Sequence, residues 1–297
     1  MSMNVCKHHL FNKYTLIIWV LLFTACEKLT LPEETSSQPD GNLTVTIYQL
    51  EQTPFSALTR AAASETCTRL NFAIYDMEGN RLKQENQKVD ESDFGTASFQ
   101  LEEGTYQLVV LAHSSDGNPT MTNPAKIQFT NATGYTDTFL YHTTVTVTDE
   151  PQTLALTLSR IVALCRFVIT DAIPEDVTKM QFYYTGGSGA FDATTGLGCV
   201  NSKQDVKFEV HEGDTQTHYD LYTFLHEQEG TIQLTVSALD SDDHELYKRE
   251  FTIPLKQNQI TTYTGTFFTG VTPTASQSLT TTLTLNTIWA NETQLTY

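Results

Sequence analysis

Along most of this chain apolar and polar residues alternate with a period of two, the pattern of half-buried β-strands. Leu43-Thr-Val-Thr-Ile-Tyr48 alternates cleanly. Leu70-Asn-Phe-Ala-Ile-Tyr75 does the same and runs into the turn Asp76-Met-Glu-Gly-Asn80. Residues 96–101 lead through Glu102-Glu-Gly104 into 105–111, which predicts a hairpin. Its second strand is apolar on both faces and should be central in its sheet. Residues 139–148 close a first block spanning 42–150. Residues 153–171 are too long for one strand. Leu154, Leu156 and Leu158 share one parity, whereas Ile161, Ala163, Cys165, Phe167 and Ile169 share the other. A one-residue slip flips every side chain to the other face, so a bulge or break is expected at Ser159-Arg160. Further strands are predicted at 180–184, 206–210, 219–226, 232–239, 246–253 and 260–268. No long amphipathic helix is indicated. Short, regularly spaced strands predict an all-β protein, which we read as two β-sandwich domains in tandem, 42–150 and 151–270.

The last segment, 271–297, stands apart. A linker, Val271-Thr-Pro-Thr-Ala-Ser-Gln, precedes a strand in which Leu279, Thr281, Leu283, Leu285, Thr287 and Trp289 share one face. At ~3.3 Å per residue the stretch 279–289 would extend about 36 Å.

The other end of the chain carries a targeting signal. Lys7 and Lys13 precede an apolar run, Leu16-Ile-Ile-Trp-Val-Leu-Leu-Phe-Thr-Ala-Cys26, and no acid occurs before Glu27. A basic n-region, a short h-region and a small-residue cleavage site make a secretory signal peptide over 1–25. The run is short for a membrane span, which needs ~20 apolar residues. A cysteine directly after Thr24-Ala25 resembles a bacterial lipobox, with Phe23 in place of the usual leucine. Lipidation of Cys26, palmitate included, is therefore expected, with an ordinary signal peptide as the alternative. Residues 26–41, polar and Pro-containing, would be the tether between lipid and folded body.

Cleavage removes two of the 17 basic residues and none of the 35 acids, leaving 15 − 35 = −20 on the mature chain. So acidic a surface argues against nucleic acid and against side-chain binding to an anionic bilayer. Cys67, Cys165 and Cys199 remain after processing, an odd number without metal-ligand spacing; one pair plus a thiol and three buried thiols both stay open. Candidate chemistry is sparse. Gly186-Gly-Ser-Gly189-Ala190 approaches a nucleophile elbow but lacks the last glycine and a following helix, so it reads as a flexible loop. Asp240-Ser-Asp-Asp-His-Glu245 reads as a solvated hairpin turn, not a calcium loop. His113, His142, His211, His218, His226 and His244 lie outside any ligand frame. We expect no enzymatic activity, no metal, no cofactor and no small-molecule substrate.

Leu158-Ser-Arg-Ile-Val-Ala-Leu-Cys-Arg-Phe-Val-Ile-Thr-Asp-Ala-Ile-Pro174, with Gly104-Thr-Tyr-Gln-Leu-Val-Val-Leu-Ala112, Asp192-Ala-Thr-Thr-Gly196 and Ile288-Trp289, resembles the fimbrillin-associated anchor and minor subunits (FimB-type) of Bacteroidales fimbriae. The resemblance implies two transthyretin-like sandwiches on an outer-membrane lipoprotein, joined to other fimbrial subunits by strand exchange. In fimbrillins an arginine-specific protease removes a first strand, and a neighbour's terminal strand fills the groove. Here the removable strand would be 43–50. Arg60-Ala61 would be the processing site, with a plain surface arginine as the alternative. The donor would be 279–289, with Leu279, Leu283, Leu285 and Trp289 facing the groove. An anchor keeps Cys26 and stays uncut; a shaft or tip subunit is cut. A non-polymerising surface lipoprotein that binds a glycan or host ligand is the second expectation.

Overall fold

The computed structural model describes residues 41–51, 66–130, 134–270 and 292–297. Its elements are strands. The first part of the chain forms β1 (Leu43–Glu51), β2 (Arg69–Tyr75), β3 (Arg81–Lys88), β4 (Thr96–Phe99), β5 (Gly104–His113), β6 (Thr120–Asn123), β7 (Lys126–Gln128), β8 (Thr138–Val147) and β9 (Gln152–Arg160). The second forms β10 (Ala163–Ile169), β11 (Lys179–Gly187), β12 (Ala190–Asp192), β13 (Leu197–Gly198), β14 (Ser202–Glu209), β15 (Thr217–Thr223), β16 (Glu229–Leu239), β17 (Glu245–Lys256), β18 (Ile260–Gly265) and β19 (Glu292–Thr296).

In the N-terminal half seven strands run in the order β3-β2-β5-β8-β9-β1-β4. The sheet folds over on itself, because Leu43 and Val45 of β1, Phe99 of β4 and Leu158 of β9 share one core with Phe72 of β2, Val110 of β5 and Phe139 of β8. The fold line falls between β8 and β9, which pair only at Phe139↔Arg160 and Leu140↔Ser159. β5 lies between β2 and β8, and its residues are buried on both faces. The predicted hairpin of 96–101 with 105–111 is not formed. β4 pairs with β1 instead, and β5 with β2 and β8. Alternation identifies a strand but not its partner, and here Glu102-Glu-Gly104 carries the chain from one layer to the other.

Two four-stranded sheets, β15-β10-β18-β19 and β14-β11-β16-β17, make the C-terminal half. They enclose a second core containing Phe167, Phe182, Val236, Phe251, Ile253 and Tyr263. The pairing scheme of the first half recurs here. β1 lies antiparallel to β4 and parallel to β9, and β10 lies antiparallel to β15 and parallel to β18. β2 is flanked by β3 and β5 as β11 is by β14 and β16. The expected break at Ser159-Arg160 is real and its cause is larger than a bulge: β9 ends at Arg160 and β10 begins at Ala163 in a different sheet. Leu154, Leu156 and Leu158 face the first core, and Ala163, Cys165, Phe167 and Ile169 the second, while Ile161 lies between them. The first sheet therefore extends past the expected division at 150/151.

A third core joins the halves. Val109 and Leu111 of β5 meet Phe129, Tyr135, Ile161, Val162, Phe191, Phe224 and Ile260 there. A small sheet, β13-β12-β7-β6, pairs Phe191 of one half with Ile127 of the other. Arg160 seals the junction. Its guanidinium grips Asp137 at 2.6 and 2.8 Å, donates to Asn258 at 3.3 Å and lies 4.7 Å over the Phe139 ring. Pro39–Tyr297 accordingly form one compact unit.

Candidate functional site

The strand that the fimbrial resemblance marks as removable is seated in this structure. β1 lies between β4 and β9, with Leu43↔Phe99 through Thr46↔Thr96 on one side and Leu43↔Gln152 through Glu51↔Ser159 on the other. Leu43 and Val45 are fully buried, and Ile47 packs against the same core. Strict alternation would then turn Gln49 inward. A register shift between Ile47 and Gln49 prevents this. It leaves Tyr48 57% exposed and returns Leu50 to full burial. A β-bulge is the usual device for re-aiming side chains in this way. At its start β1 is fastened by Asn42, whose Nδ2 donates to the Leu101 carbonyl at 2.9 Å and whose Oδ1 accepts from the Leu101 N–H at 3.0 Å. Without β1 the first core would open as a cleft between β4 and β9. That cleft is matched to an extended segment with apolar residues at alternate positions.

At the other end of the chain, β19 lies parallel to β18 with Ile260↔Glu292 through Thr264↔Thr296 in register. Leu295 is buried. The Tyr297 ring stacks on Phe167 and Tyr263 at centroid distances of 5.0 and 5.3 Å, and its N–H donates to the Thr264 carbonyl at 3.0 Å. This strand completes the second core, and no alternation of apolar residues in the sequence marks it. Cys26, Arg60, Ala61, Leu279, Leu283, Leu285 and Trp289 lie outside the described residues.

The remaining candidates become structural. Gly186-Gly-Ser-Gly189 is not a flexible loop: β11 runs to Gly187 and Ser188 bridges to Phe224. Ser188 is buried, and its hydroxyl donates to the Ala190 carbonyl and accepts from the Ala190 and Val200 N–H groups. Glycine is required on both sides of it. A Cβ at Gly187 would collide with the Thr223 hydroxyl, and one at Gly189 with the Tyr135 hydroxyl. Asp240–Glu245 is the β16–β17 connection. Asp240 accepts from the backbone N–H groups of Asp242 and His244, while Asp243 bridges Lys179 and Lys207. His113 is buried; its Nδ1 accepts from the Ser115 N–H, so Nε2 carries the proton and donates to Asn71 Oδ1 at 2.8 Å. Burial, and behind it the nearby Arg69 charge, holds its pKa down to about 4, so it stays neutral. Cys67 and Cys165 are buried free thiols in different cores, and Cys199 is exposed and free. Among the described residues no group of three or more His, Cys, Asp or Glu side chains could hold a metal ion.

The fold and these two strand positions define an all-β, sandwich-built chain whose first and last described strands each fill a core. The chain belongs to a family of unknown function, DUF6562, whose model matches residues 35–296. No curated protein matches it. Among solved structures it is similar to the fimbrial anchor protein Mfa2 from Porphyromonas gingivalis, at 14% identity and a TM-score of 0.44 over 69% of this chain and 80% of that one. It is also similar to a fimbrial assembly protein from Parabacteroides distasonis, at 14% identity and a TM-score of 0.37 over 75% of this chain and 89% of that one.

Proposed function

We propose that this protein is a fimbrial anchor or minor subunit, lipidated at Cys26, held in the outer membrane and joined to neighbouring subunits by β-strand exchange. The observation that carries strand exchange is β1, which in the uncut chain fills an apolar cleft between β4 and β9. Cys26 and β1 both lie on the N-terminal side of Arg60, so a cut after Arg60 would sever the lipid and β1 from the body together. A chain that keeps β1 keeps its lipid, and its own groove is closed to a donor. That combination suits the membrane end of a fibre, with two transthyretin-like sandwiches, the first closed by β9 and the second opened by β10, as its body. The outgoing connection would be the segment 279–289, whose Leu283, Leu285 and Trp289 repeat the alternation by which Leu43, Val45 and Ile47 fill the first core.

Because β19 is part of the second core, the test substitutes the donor instead of removing the chain end. A Leu283→Asp/Leu285→Asp variant should remain folded and lipidated and should no longer co-purify with fimbriae. Normal incorporation of that variant would refute the donor role. The docking of β19 on its own half favours a second reading, a non-polymerising surface lipoprotein that binds a glycan or host ligand. Saturable binding on a glycan array, together with indifference to the double substitution, would select that reading.

A further inference from the structure

In each half the strand that brings the chain in and the strand that carries it out lie parallel and side by side. β1 runs parallel to β9 over eight register pairs, from Leu43↔Gln152 to Glu51↔Ser159. β10 runs parallel to β18, the last strand before residue 271, over six pairs from Leu164↔Ile260 to Ile169↔Gly265. The chain thus enters each pair at one end and leaves it at the other. Tension along the chain loads such a pair in shear, and its hydrogen bonds must fail together. A pair pulled from one end peels open bond by bond instead. The points where load would enter and leave are tied by side chains. Asn42, at the entrance to β1, makes two hydrogen bonds with the Leu101 backbone at 2.9 and 3.0 Å, and its carbonyl accepts the Gln152 N–H at 3.0 Å. Arg160, at the exit of β9, holds Asp137 at 2.6 and 2.8 Å. Beyond β18 the Asp171 carboxylate accepts the N–H groups of Phe267, Phe268 and Thr269 at 2.7–2.8 Å. Slippage is opposed as well. A shift of two residues keeps a regular strand in phase with its core. The register shift between Ile47 and Gln49 removes that escape, because sliding β1 by two residues toward its N-terminus would carry Gln49 into the apolar place of Ile47.

We infer that β1 and β9 form a shear clamp, by which the N-terminal half bears tension applied between Asn42 and Arg160. The load is shared along the whole ladder and opposed by Leu43, Val45 and Leu50, which are fully buried and must be dragged through the core together. Forced unfolding is governed by the unfolding barrier and not by equilibrium stability, so the direction of pulling alone should change the resistance. β10 and β18 repeat the construction in the second half. The inference rests on register and does not depend on the fimbrial reading. On that reading, Asn42 is where a pull from the lipid at Cys26 would enter the folded body.

The test pulls one ladder in two directions. Full chains carrying Cys6→Ser, Cys26→Ser and Cys199→Ser receive DNA handles at two introduced thiols and are stretched in an optical trap. Asp40→Cys with Ser159→Cys loads β1 and β9 from opposite ends. Gln52→Cys with Ser159→Cys loads the same ladder from one end, at Glu51↔Ser159. Ser159 is exposed, and the other two positions flank β1 in the sequence, so the core is the same in both variants. At equal loading rate the first variant should rupture at a several-fold higher force than the second. Equal rupture forces, or a lower force in the first geometry, would overturn the clamp.

Discussion

Truncating Leu43, Val45 and Leu50 together to alanine should destabilise the protein by about 6–12 kcal/mol, enough to unfold the N-terminal half. All three side chains are fully buried and belong to the first core. Large-to-small changes at such sites cost about 2–4 kcal/mol each, from lost transfer energy and from the cavity left behind. The neighbours are unable to collapse into the space freely, because β4 and β9 are held apart by the backbone of β1 itself. Urea denaturation and hydrogen exchange should show loss of protection in β1, β4 and β9 first. A loss below about 2 kcal/mol would mean that β1 is an ornament on the sheet and not a wall of its core. The matching surface change, Tyr48→Ala, should cost far less than the core truncations, since the bulge turns that ring outward.

The second large effect lies at the junction. Replacing Arg160 with methionine should cost about 3–5 kcal/mol, the range for breaking a buried ion pair from one side. The Arg160 side chain is 3% exposed and that of Asp137 is 21% exposed. Methionine fills much of the volume but leaves the Asp137 carboxylate half-buried without its two charge-assisted hydrogen bonds, and it abandons Asn258 across the junction. The Arg160→Met/Asp137→Asn double variant should recover part of the loss, because no uncompensated charge then remains. Independent, additive losses in that cycle would show that the pair does not act as a unit.

Much of this architecture is legible in the residues, and the failures share a physical cause. Strands with one face in a core declare themselves, as 43–48 does. The parity change near Ser159 locates the crossing between the halves, because each core demands its own phase. Pairing is a different matter. β4 and β5 are close in sequence but lie in different layers, since sheet partners are chosen by the whole core and not by the nearest turn. β3, Arg-Leu-Lys-Gln-Glu-Asn-Gln-Lys, has no apolar face to read because it is an edge strand, its charges guarding the edge. The third core is equally silent in sequence. Phe129, Tyr135 and Phe224 sit outside regular strands, and only the fold brings them together. Of the functional features, the apolar face of β1 is visible in its alternation, whereas its bulge at Tyr48 shows only as a glutamine where alternation calls for an apolar residue. β19 escapes notice because Leu295 is its single buried apolar side chain.

Retention of the first strand together with the proposed lipid can be read from the N-terminus and intact mass of the protein taken from its native cell surface. An acylated Cys26 at the start of an uncut chain is the expected result. A mature N-terminus at Ala61 would contradict it: the lipid would be gone, the cleft beside β4 and β9 would be open to a donor, and the protein would be a processed shaft or tip subunit.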